Sequence, residues 1–526
     1  MNKTLKVTSA LMLLVTMLAC NQSKKQQGWT VNGTLEGIGD GVICLKKDMN
    51  DPQPQEFKMT AGQFTITGPA VSEPTRILLE IKDKDVRFGL FVENGESSYS
   101  GQLVEKEMPA WGDMPPRKFM QIDNEVIVGS VANDHQKEFN EAMRASYGDI
   151  NAIRNMSEEE VTKMAEEREL KVKKAQTDFI KKYPNAFYSG IVAARLTHGM
   201  DSKGVEEVLA LLDPSLNTSH VRKLKDQLAN SKDVNISEAI SASNVSYKVE
   251  NTFQGSAYLD VIYMGILSNN HVCALTKEGS IKIIDGAGKQ INSFKPAFDI
   301  APTTMAIDGN DDIYIMLPLQ KEVTRKFRGK TMKAMETTGY KCAVFNTKGE
   351  QIRTMDLDGL KTATGARVAN NKLMVADWQN RIIGVFNPKT GAKEAALEDM
   401  RPCCMILDFS VNDKNEILVA NLGAFRVQAF DMTGKQLLAF GKRGKEVDDF
   451  HGCCNPVSVA YLSNGAIVTV EKDPTRVKIY SKDGAKQIEG IEEMVKGCSY
   501  IPMIVDADDN LYLASPTKGM VKCIAI

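Results

Sequence analysis

From about residue 246 to its end the chain repeats one pattern six times, and that repeat restricts the architecture more than any other feature of the sequence. Each unit has an apolar strand, a turn rich in Asn, Asp and Gly, a second strand, and a third strand ending in Phe, Tyr or Ile. A fourth often follows after a Gly-Lys turn. The second strands end at Leu275, Met316, Ala376, Ala420, Val470 and Ala514, spaced by 41, 60, 44, 50 and 44 residues. A single such unit cannot bury its own apolar faces, whereas units stacked radially can. The spacing therefore predicts a six-bladed β-propeller over residues 246–526. The last unit stops at its third strand, Val521 to Ile526, and Ser246 to Phe253 is a spare strand just before the first unit. Pairing one onto the other would close the ring and remove an exposed edge.

Ahead of the propeller the pattern changes twice. Residues 28–125 read as short alternating strands with glycine turns: Trp29 to Leu35, Val42 to Leu45, Gln63 to Gly68, Arg76 to Ile81 and Phe88 to Gly95. A small antiparallel, sandwich-like β-domain is the expectation. Residues 126–240 take a helical period. Ser157 followed by Glu160 is a capping box, a charged run continues to Lys182, and Tyr183-Pro184 stops it; Ala186 to His198, Gly204 to Leu212 and Ser219 to Ala229 supply further helices. The fold class is thus mainly β with a helical middle region.

The first 20 residues are of another kind. Lys3 and Lys6 precede an apolar run from Ala10 to Ala19, too short to span a bilayer as a helix and suited to a signal-peptide core. Residues 21–27 would be a solvated tether. With 65 basic against 67 acidic residues, a net charge of −2 supplies no field to gather nucleic acid.

Three resemblances follow from quoted residues. Met17-Leu18-Ala19-Cys20 resembles the lipobox of bacterial lipoproteins, which implies acylation of Cys20 and anchoring to a lipid bilayer; Met17 departs from the usual Leu. Val31-x-Gly33-x-Leu35, the Gly62 to Gly68 hairpin and Phe91-Val-Glu-Asn-Gly95 are similar to the small β-domain that opens many Bacteroidetes-type envelope lipoproteins. In those, a thioredoxin-like domain often follows, but its Cys-x-x-Cys is not in this sequence. Lys372 to Ile382 and Arg426 to Gln436 resemble NHL repeats. Together these imply an envelope location, with the periplasmic side favoured because no acidic tract follows Cys20.

Chemistry gathers on one face of the expected disc, where innermost strands begin and second strands end. Counting back 16 residues from the second-strand ends reaches Leu259, Ile300, Leu360, Cys404, Cys454 and Cys498. Cys403 and Cys453 lie beside two of these cysteines, and His451 lies close by. An oxidising compartment favours disulfides, across blades or between neighbours. Soft thiolates also suit zinc or copper, with Cys403, Cys404, Cys453, Cys454, Cys498 and His451 as candidate ligands, and an exposed thiol pair suits redox exchange. Cys44, Cys273, Cys342 and Cys523 read as buried apolar residues. Trp378 beside Asp377, and Glu471 with Lys472, fall on the same face, where Trp378, Glu471 and Lys472 are candidates for binding a ligand or partner, the last two also reading as a solvated salt-bridge loop. That face also carries a blade-two insertion, Leu319 to Thr338, whose Lys321, Arg325, Lys326 and Arg328 suggest a basic loop for an acidic ligand or protein partner.

The sequence favours a binding or interaction module for a protein or small molecule over an enzyme. A redox or metal-handling protein is the alternative, and a propeller hydrolase or lyase a third reading. The propeller holds only His271 and His451, which argues against a multi-histidine zinc centre.

Overall fold

The structure, a computed structural model, describes residues 28–47, 51, 53–84, 86–108, 116–147, 156–230, 233, 243–327, 330–492, 500–515 and 518–526. Cys20, Arg328 and Cys498 lie outside these residues. The chain divides into two compact units.

The N-terminal strands are β1 (Trp29–Glu36), β2 (Gly41–Lys46), β3 (Gln55–Thr60), β4 (Gln63–Gly68), β5 (Thr75–Ile81), β6 (Val86–Val92), β7 (Gly95–Met108) and β8 (Arg117–Val128). They form one sheet in the order β6-β5-β2-β3-β4-β1-β7-β8. This corrects the sandwich expectation. β1 pairs with β4 on one side and, in parallel, with β7 on the other, so two would-be sheets are joined by an unbroken ladder. The long sheet curls until β6 and β8 meet, giving a nearly closed barrel. Alternation along β1 turns Trp29, Val31 and Leu35 into the core with Ile66, Leu79 and Leu90. Gly33 is obligatory, since a Cβ there would lie 1.9 Å from the ring of Phe64 opposite it.

Five α-helices are present among the described residues: α1 (Val131–Tyr147), α2 (Glu158–Lys182), α3 (Phe187–Leu196), α4 (Ser202–Leu209) and α5 (Ser219–Asn230). The capping box starts α2 as its sequence requires: the Ser157 hydroxyl accepts from the Glu160 N–H, and the Glu160 carboxylate accepts from the Ser157 N–H at 2.8 Å.

The second unit holds six four-stranded antiparallel sheets, one per repeat. The innermost strands are Val261–Ile266, Thr304–Ile307, Gly365–Ala369, Asp408–Val411, Ser458–Tyr461 and Met503–Val505. Turns are set by Asp and Asn side chains that accept from the backbone two and four residues on, as Asp506 does from the N–H groups of Asp508 (3.0 Å) and Asn510 (2.9 Å). The spare strand closes the ring. Tyr247–Val249 pairs with Gly519–Ala525 as the fourth strand of the last blade, and Ser246 and Ile526 exchange two backbone hydrogen bonds. The blade-two insertion is an extension of the strands, Ile313–Phe327 and Lys330–Phe345, and so a hairpin arm where a loop was expected.

Candidate functional site

The second strand of each blade ends on the cysteine-bearing face. Its last residue is polar in five blades: Thr276, Asp377, Asn421, Glu471 and Ser515. In blades three to five this side chain holds the loop that leads into the innermost strand. Asp377 accepts from the Lys361 N–H at 2.8 Å and the Thr362 hydroxyl at 2.7 Å, Asn421 from the Arg401 N–H, and Glu471 from the His451 N–H at 2.8 Å. A buried N–H left unpaired is costly, so this position must carry an acceptor.

Glu471 is therefore committed to the fold. It is fully buried and pairs with Lys478 at 2.7 Å and with Arg476 at 2.8 Å. The Lys478 ammonium also donates to the Asp449 carbonyl at 2.6 Å and lies 4.6 Å from the centre of the Phe450 ring. Burial pushes the Lys478 amine down to about 8, against the opposing charge of Glu471. Lys472 is buried too, its backbone tied to the Asn455 side chain. Lys321 is exposed on the hairpin arm, and the neighbouring Glu322 pairs with Lys333 at 2.9 Å. The side chains of Arg325 and Lys326 lie outside the description.

The blade-three and blade-four loops so held help to wall an open cavity of about 310 Å³ at the start of the innermost strands. Its walls include Tyr340, Trp378, Met405, Leu407 and Tyr500, with hydroxyls from Thr303, Thr362 and Thr364. No charged side chain lines it among the described residues. Of these wall residues the sequence had singled out Trp378 alone. Met405, Leu407, Tyr500 and the three threonines stand just before the innermost strands, a repeat position that could have marked them, whereas Tyr340 lies in the third strand of blade two.

Beneath this cavity a polar network crosses the channel. The Tyr500 hydroxyl donates to Asp408 at 3.0 Å, Arg367 stands 4.0 Å from the same carboxylate, and the Arg367 guanidinium reaches the Tyr263 hydroxyl. Burial pushes the Asp408 carboxyl up to about 6, with Arg367 opposing. Tyr263 and Arg367 also line a second cavity of about 770 Å³, walled by the turns that follow the innermost strands and hence at the opposite end of the channel.

Four of the five clustered cysteines are described, and they stand together. Cys403 and Cys454 form a disulfide between blades four and five, with Cα atoms 6.2 Å apart. Cys404 and Cys453 are exposed free thiols, 3.7 Å and 3.6 Å by sulfur from their bonded neighbours. The sulfurs of Cys403, Cys404 and Cys454 lie within 4.8 Å of one another and are the one metal-ligand-sized group among the described residues; His451 is not part of it. With two of these sulfurs bonded to each other, the oxidised site has no three thiolates to offer a metal. His451 and His271 do not converge, since His271 sits in the turn after an innermost strand, at the far face. Cys44, Cys273, Cys342 and Cys523 are buried, and burial pushes the Cys273 and Cys523 thiols up to about 12.

No family model matches the chain, and no curated protein matches it. Solved structures similar to it include a streptogramin B lyase (11% identity, 53% of this chain and 98% of that one, TM-score 0.38). A virginiamycin B lyase from Staphylococcus aureus matches at 10% identity over 54% of this chain and 100% of that one, TM-score 0.36. An auxiliary nutrient binding protein from Bacteroides ovatus matches at 11% identity over 54% and 78%, TM-score 0.39. At such identities and scores the likeness carries no argument about chemistry, which rests on this chain's own residues.

Proposed function

We propose that this protein is a lipid-anchored envelope module that binds a small, neutral, largely apolar ligand carrying an aromatic ring. The supporting observation is the cavity at the cysteine-bearing mouth: aromatic and thioether walls, the Thr303 hydroxyl to orient a polar substituent beside Thr362 and Thr364, whose hydroxyls donate within the protein, and no charge to meet an ion. Its volume is at the small end of the roughly 300–1,000 Å³ range of small-molecule sites. No carboxylate or imidazole lines it among the described residues, so nothing there favours hydrolysis or elimination over binding. The anchor rests on the basic start, the apolar run and Ala19-Cys20.

Neutral naphthol is a suitable probe, followed by its fluorescence in a titration of the purified protein. Trp378→Ala is expected to weaken binding about tenfold, the loss of about 1.4 kcal/mol of aromatic contact. Lys414→Ala, in the opposite cavity, should leave binding unchanged. Equal losses in both variants, or no saturable binding, would sink the reading. Protein taken from native membranes should carry acyl groups at Cys20; an unmodified Cys20 there refutes the anchor.

A further inference from the structure

A structural disulfide needs two cysteines. Here each bonded sulfur has a second, exposed thiol on the adjacent residue, in contact with it, so four sulfurs form a row: Cys404, Cys403, Cys454, Cys453. We propose that this row is a thiol–disulfide exchange site whose substrates are disulfides or dithiols presented at the mouth of the propeller.

Backbone geometry adds an independent observation. Cys403 and Ile406 are bridged, the Ile406 N–H donating to the Cys403 carbonyl at 2.9 Å. The two residues between them, Cys404 and Met405, have φ of 51° and 61°. A turn with two left-handed residues ordinarily takes Gly or Asn, and each side chain here costs about 1–2 kcal/mol. Such cost is retained where the neighbouring structure enforces it, often at functional sites. The turn holds the Cys404 thiol in solvent and sends the following residues, Met405 to Leu407, into the cavity wall.

The chemistry balances with no external cofactor. Deprotonated Cys453 attacks the Cys454 sulfur, forming Cys453–Cys454 and releasing Cys403 as a thiolate, which takes up a proton. Cys403 and Cys404 are then adjacent thiols. Cys404 attacks an incoming disulfide and displaces one half as a thiolate. Cys403 next attacks the Cys404 sulfur of the mixed disulfide and displaces the other half. The row ends with two disulfides and the substrate is reduced to two thiols, a two-electron exchange. The reverse sequence oxidises a dithiol. The attacking species in each step is a thiolate, and both attacking thiols stand exposed to solvent. The other free cysteines among the described residues are buried, out of reach of an incoming disulfide.

The test is incubation of the full chain with oxidised glutathione, followed by peptide mapping of every cysteine, Cys498 included. The expected result is a second internal disulfide within the row, two reduced glutathiones released, and no retained adduct. Cys404→Ser and Cys453→Ser, both at exposed positions, should keep the circular dichroism of the parent, cut formation of the second disulfide at least about tenfold, and retain one glutathione as a stable adduct. Stable glutathione on both Cys404 and Cys453 of the parent chain overturns the proposal. So does a Cys403–Cys454 bond that persists unchanged under every condition. Stoichiometric zinc or copper on the isolated protein, lost in Cys404→Ser, also overturns it in favour of metal ligation. Naphthol binding is read separately, so failure of the cavity reading leaves this one standing.

Discussion

Glu471→Ala is expected to destabilise the propeller by about 3–5 kcal/mol, the usual cost of removing one member of a buried ion pair. The variant leaves the Lys478 ammonium in a fully buried position, facing only the Asp449 carbonyl and two aromatic rings. It also strips the His451 N–H of its acceptor. Arg476 suffers less, because its guanidinium still reaches the carbonyls of Lys445, Glu446 and Asp449. Lys478 is thus the main orphan, and Glu471→Gln with Lys478→Met, which keeps an acceptor for the His451 N–H, should recover most of the loss. The deficit should also depend on pH. Burial already holds the Lys478 amine at about 8, below its unfolded value of about 10.4. Between those values the unfolded chain binds the proton that the folded chain has released, so stability rises with pH across that window. Without Glu471 the amine falls further and the window widens downward. Urea unfolding should therefore show the largest deficit below the variant's lowered value, a shrinking one as pH rises from there to about 8, and a constant one from about 8 to pH 10, where both stabilities rise together. A deficit under about 1 kcal/mol at pH 7, or one that grows with pH, would refute this account.

Glu471 also shows where sequence reading stops. As one of two adjacent charged residues, Glu471 and Lys472, it reads from hydropathy as part of a solvated loop. Placed in its repeat, it is the residue after Val470, and the matching positions after Leu275, Ala376, Ala420 and Ala514 are all polar. A recurring polar residue just past a buried strand is the mark of a loop anchor, and hydropathy alone does not show it. The blade count and the closing strand were legible because both follow from spacing and from the need to pair edges. The barrel-like N-terminal sheet was not. A curled sheet and a sandwich each bury one face and so give the same alternation, and only the pairing of β1 on both sides separates them. Among the cysteines, equal repeat offsets paired Cys404 with Cys454 as equivalents. That equivalence left the pairing open; the bond runs across the blades from Cys403 to Cys454, and the left-handed turn at Cys404 and Met405 leaves Cys404 in solvent. Sequence offset fixes which loops meet, while the backbone within each loop decides which side chain faces the neighbour.

Opening the junction between blades four and five tests that last point on stability. The Cys403–Cys454 bridge closes a loop of 51 residues, and the loss of chain entropy in the unfolded state is worth about 4 kcal/mol for a loop of that length. Cys403→Ser alone should lose less than this. The Cys404 sulfur lies within 4.8 Å of both Cys403 and Cys454, so it can take the vacated place and close a loop one residue shorter. Cys403→Ser with Cys404→Ser removes both candidates and leaves Cys453 and Cys454, whose union closes no long loop. The double variant should show the full loss, and reduction of the parent protein should reproduce it. Cys403 is half-buried and Cys404 exposed, so serine at either site creates little cavity, and the difference between single and double variants reports the bridge itself. Urea unfolding without reductant measures both. If the double variant stays within about 1 kcal/mol of the parent, the two blades are held by packing of Leu422, Phe425, Phe450 and Val457, and the row of sulfurs is free of any structural duty.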